Sequence, residues 1–86
     1  MATMLEQTLM RELRENKKDI LEALEWNGCI KYTIELQEES GEVLITRFMT
    51  SEDIEKSVNK AISLLFPGSK SSEIKIFDTV LEFKIN

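Results

Sequence analysis

The chain has 86 residues, 42% hydrophobic and 31% charged, with a formal net charge of −5, one cysteine and no histidine. This supports one domain, residues 1–86, whose core leaves it marginally stable alone; it excludes an internal disulfide, a cysteine–histidine zinc site and histidine-based acid–base catalysis. The negative charge repels a phosphate backbone, so no direct nucleic-acid contact is expected, and no apolar run approaches the ~18 residues of a membrane span.

The opening stretch, "MATMLEQTLMRELRENKKD", has no basic segment leading into an apolar one, so a secretory signal is not expected. With a lone thiol this points to the cytoplasm. Leu5, Leu9, Leu13, Ile20 and Leu24 recur at helical spacing, with Met10 and Leu21 beside them, and predict a helix over 3–27. Gly28 stands where a C-terminal cap belongs. The apolar stripe is interrupted at Asn16 and Lys17. At ~1.5 Å per residue such a helix is as long as the domain is wide, so it either bends there or its first half projects toward another chain.

"CIKYTIELQ" (29–37) alternates apolar and polar residues, the pattern of a half-buried strand, and "VLITRFM" (43–49) predicts a second strand. Glu39-Ser40-Gly41 suits a three-residue hairpin loop with Gly41 at positive φ. In that register Leu36 faces Leu44, Ile34 faces Thr46 and Tyr32 faces Phe48 on the core side. On the other face Gln37 pairs with Val43, Glu35 with Ile45, Thr33 with Arg47, and Lys31 with Met49.

Thr50 or Ser51 caps a second helix over 51–66, striped by Ile54, Val58, Ala61, Ile62 and Leu65 and ended by Pro67-Gly68. A last strand is predicted over 73–85, with Phe77, Leu81, Phe83 and Ile85 sharing one side. Ile74 and Ile76 fall out of phase with them, so a bulge or bend is expected near Ile76-Phe77.

These elements predict an α+β two-layer sandwich in the order α-β-β-α-β. The first strand lies in the middle of a three-stranded antiparallel sheet, and two helices pack on one face. The order resembles a ferredoxin-like plait lacking its first strand. That resemblance implies a fold and no particular activity.

The open face is then expected to carry Val43, Ile45, Met49 and Val80, rimmed by Glu35 and Arg47, as a contact surface. The competing explanation is that Val and Ile are simply good strand residues. Trp26 lies outside the helical stripe and either closes one end of the core or anchors a partner. Cys29 is better read as a small hydrophobe than as a nucleophile assisted by Lys31. Glu38, Glu39 and Glu42 lack the ligand spacing of a calcium loop. "PGSKSS" follows a helix and has Ser69, not glycine, before Lys70, so it is a connection and not a phosphate loop. Arg11, Arg14 and Lys18 share a helix face that Glu15 and Glu22 neutralise through i,i+4 pairing.

No catalytic residue, metal ligand or cofactor is expected. The sequence points to a small acidic, non-catalytic protein-binding module that occupies a basic surface of a larger partner. Its extreme form is an inhibitor of a basic or nucleic-acid-binding protein. The alternative is a homo-oligomeric structural or regulatory domain, a homodimer joined through the open sheet face or the first helix.

Overall fold

Leucines at positions 5, 9 and 13 give the first segment one apolar stripe, and that stripe is buried. In the computed structural model, which describes residues 4–36 and 49–86, it belongs to α1 (Met4–Glu15). The single helix expected over 3–27 is in fact two. It is interrupted at Asn16 (φ −109°, ψ 13°), after which α2 (Lys17–Asn27) begins.

The cause is the Asn16 side chain. Its Nδ2 donates both to the Glu12 carbonyl and to the Tyr32 hydroxyl oxygen, each at 2.9 Å. The Tyr32 hydroxyl in turn donates to the Glu12 carbonyl at 3.4 Å. A short amide side chain competes with the backbone for partners, and here it diverts the helix toward a tyrosine on the sheet. Backbone bonds from Asn16 to Glu12 (3.3 Å) and from Ile20 to Asn16 (3.0 Å) still join the two helices. Ile20 is buried after the break, whereas Leu21 is 46% exposed. Gly28 caps α2 as expected, at φ 76°, with its N–H on the Leu24 carbonyl.

In β1 (Ile30–Glu35) the side chains of Ile30, Tyr32 and Ile34 turn toward the core, and Leu36 just beyond it is buried. Thr50 opens α3 (Ser51–Leu65) with a reciprocal cap. Its hydroxyl accepts from the Asp53 N–H at 3.1 Å, and its own N–H donates to the Asp53 carboxylate at 3.3 Å. The helix buries Val58, Ala61, Ile62 and Leu65, and Phe66 at its end is buried too. Lys60 on α3 pairs with Glu6 on α1 at 3.4 Å.

The expected final strand over 73–85 is a hairpin: β2 (Ser71–Phe77) and β3 (Val80–Ile85), joined by Asp78-Thr79. Asp78 takes φ 58° to close it. The phase conflict between Ile76 and Leu81 is therefore the signature of a turn. Ile76 and Leu81 face each other across the hairpin, and Phe77, expected in the core, pairs with Val80 and is 76% exposed. The bulge lies three residues earlier than expected. Glu73 (φ 51°) and Ile74 together oppose Phe83, between the pairs Ser72–Lys84 and Lys75–Glu82.

All pairing is antiparallel, in the order β1-β3-β2. The central strand among those described is thus β3 and not the first. The expected partner strand at 43–49 falls outside the described residues except for Met49, which packs against the core instead of facing away from it. The chain is a compact α+β domain with three described helices and a three-stranded antiparallel sheet, and its radius of gyration is 12.3 Å. One cluster of buried residues links α1, α2 and α3 with the inward row of the sheet. Within it the rings of Tyr32 and Phe83 lie 5.8 Å apart. Among the described residues no helix is long and apolar enough to cross a membrane.

Two consequences can be measured by urea denaturation. Tyr32→Phe and Asn16→Ala should each destabilise by roughly 0.5–1.5 kcal/mol, and the double variant should lose less than their sum. A net gain from Asn16→Ala, from helix propensity alone, would show that the bridge supports nothing. Thr50→Ala should cost about 1 kcal/mol, and an unchanged midpoint would show that Ser51 can take over the cap.

Candidate functional site

Alternation along β3 sends Leu81, Phe83 and Ile85 into the core and leaves Val80, Glu82 and Lys84 on the opposite face. Strand register then arranges that face in rungs. Glu35, Val80 and Phe77 form one; Thr33, Glu82 and Lys75 form the next; Lys31, Lys84 and Ser72 form the third.

Glu82 sits at the centre of this grid. Its Oε1 accepts from Lys31 Nζ at 2.8 Å, diagonally across to β1, and lies 4.0 Å from Lys75 Nζ on β2. The hydrogen bond from Lys31 holds the Glu82 carboxyl below the usual carboxylate range; partial burial opposes this, and the charges of Lys31 and Lys75 reinforce it. The same bond raises Lys31 above an ordinary lysine, helped by the charge of Glu82. At the third rung the Asn86 side-chain amide donates to the Ser72 hydroxyl at 3.0 Å.

Beside this ion cluster Phe77 and Val80 form an apolar corner. Lys31, Lys75, Phe77, Val80 and Glu82 line a depression of about 400 Å³. A phenyl ring, an isopropyl group and two ammonium groups are equipped to bind.

Of the residues expected at the contact surface, Val80 and Glu35 share a rung of this face. Met49 is on the core, and Val43, Ile45 and Arg47 lie outside the described residues. Trp26 is 79% exposed, so it does not close the end of the core. Sequence reasoning missed Phe77 and the Lys31–Glu82–Lys75 cluster. The signal was the phase of Ile74 and Ile76: placing them inward puts Lys75 and Phe77 outward. A second, shallower groove of about 490 Å³ runs along α1 by Met10, Arg14 and Glu15. Cys29 is a half-exposed free thiol. Among the described residues no three Cys, Asp or Glu side chains come together to hold a metal ion. Comparison with protein families, curated proteins and solved structures gives no match to this chain.

The ion cluster makes a pH prediction. Because Glu82 is depressed, its contribution to stability is complete above an ordinary carboxylate pKa of about 4.3 and is lost as pH falls through its folded value. Because Lys31 is raised, its share is complete below about 10.4 and is lost as pH rises through its folded value. Wild type should therefore exceed Glu82→Gln in urea midpoint by a small, constant margin between those limits, and the margin should close in acid. A margin that persists in acid would mean that Glu82 acts by packing and not by charge.

Proposed function

We propose that this chain is a small acidic, non-catalytic protein-binding module that occupies a surface of a larger partner through the outer face of its sheet. The observation that carries the reading is Phe77. A large aromatic side chain, 76% exposed, stands at the end of β2 beside Val80 with charged residues around it. Single exposed apolar residues are ordinary. An exposed aromatic paired with a second apolar residue and rimmed by charge is the pattern of an interface centre. Burying that ring under a partner would contribute roughly 1.5–3 kcal/mol, enough for an anchor. The lone thiol fits a cytoplasmic setting for such a module.

Site-specific photo-crosslinking in the cell that makes the protein tests this. A crosslinker at position 77 should give a defined adduct with a second protein, and one at the exposed position 18 on α2 should not. The purified chain should keep a monomer mass across a wide concentration range. Adducts no different from those at position 18 would overturn the proposal, and a 77–77 adduct in pure protein would replace it with self-association.

A further inference from the structure

We infer that the segment docking on this face is an acidic peptide, one that lays an apolar side chain on Phe77 and Val80 and a carboxylate on Lys75. The inference rests on the outer sheet face being the binding surface, and it identifies the chemistry of what binds there.

Charge is the first argument. The depression carries two lysines against one glutamate, a local charge of +1, on a chain whose total is −5. Everything outside it therefore sums to −6. A basic segment would meet like charge at this face, and so the basic partner surface that net charge alone suggests does not fit here. A negatively charged segment finds complementary charge on this face in Lys31 and Lys75.

Geometry is the second argument. Glu82 is shared unequally: Lys31 takes it at 2.8 Å, while Lys75 stands at 4.0 Å, the limit of an ion pair, with its side chain 63% exposed. An ammonium group has three donors, so Lys75 retains donors for an incoming carboxylate. Lys75 and Phe77 are two residues apart on one strand, on one face. That is ~6.6–7 Å, a spacing matched by alternate residues of an extended peptide. The docked chain lies on the face and does not extend the sheet, because the bulge at Glu73 disrupts the outer edge of β2. Nucleic acid is the weaker reading: the depression offers one exposed aromatic ring, and the −6 around it repels a phosphate backbone.

The test uses the full chain, ¹⁵N-labelled, titrated with two capped peptides of equal length. One has a central phenylalanine flanked by glutamates; the other has lysines in those positions. The acidic peptide should shift the amides of Lys31, Lys75, Phe77, Val80 and Glu82 saturably, and more weakly as salt is added. Lys75→Glu should weaken it about tenfold or more, and Phe77→Ala should weaken it while the amide spectrum stays folded. Equal or tighter binding of the lysine peptide at those amides would keep the docking face and overturn its acidic specificity. Silence from both peptides would overturn the inference too; the position-77 crosslink then tells whether the face itself still binds a protein. Shifts of the same amides by a single-stranded oligonucleotide, or by raising the protein's own concentration, would replace the peptide with nucleic acid or with a second copy.

Discussion

The structure depends on the two-residue periodicity of β3. This strand pairs with β1 on one side and β2 on the other, so one alternation fixes the sidedness of all three. Leu81, Phe83 and Ile85 are fully buried. Their intervening neighbours supply the middle residue of every rung on the opposite face. A shift of one residue would bury Glu82 and Lys84 and expose Leu81, Phe83 and Ile85. The hydrophobic core and the charged outer face are thus two sides of one register, and the core enforces it.

Two backbone irregularities keep β2 in step with that register. Asp78 and Glu73 both hold positive φ, although neither is glycine. For such residues the left-handed region costs roughly 1–2 kcal/mol, a cost the surrounding packing must outweigh. The turn at Asp78 brings Ile76 opposite Leu81. The bulge at Glu73 absorbs one residue, so that Ile74 and Ile76 reach the core while Ser71 and Ser72 stay aligned with Ile85 and Lys84. Beyond the bulge, Lys70 and Asn86 exchange backbone bonds of 3.0 and 2.8 Å that hold the open end of the hairpin. The hairpin is thus closed at both ends, and Lys75 and Phe77 lie on β2 between the bulge and the turn.

The sequence was most legible where period and chemistry agree. The alternation from Ile30 to Leu36, the cap at Thr50, and the stops at Gly28 and Pro67-Gly68 each rest on one local rule that nothing else in the chain contradicts. Legibility failed where tertiary contacts override local preference. Asp-Thr is a poor advertisement for a two-residue hairpin, which usually declares itself with glycine, so the out-of-phase isoleucines read as a kink within one strand. Asn16 marked a break in the stripe, but its partner, Tyr32, is sixteen residues away on the sheet. Only the fold brings the two together. The candidate site inherited the hairpin error: with Phe77 assigned to the core, the outer face lost its aromatic ring, and Val80 was its one apolar residue that the structure also places there.

Glu82 shows how an acidic protein can carry a basic patch. Without it, Lys31, Lys75 and Lys84 would crowd ammonium groups onto adjacent rungs of one face, and like charges directly across a strand pair are unfavourable. A single carboxylate at the centre relieves that repulsion for Lys31 and, at longer range, for Lys75, while leaving their sum positive. One acid between two lysines orders the cluster and preserves its sign, and the ring of Phe77 sets an apolar group beside it.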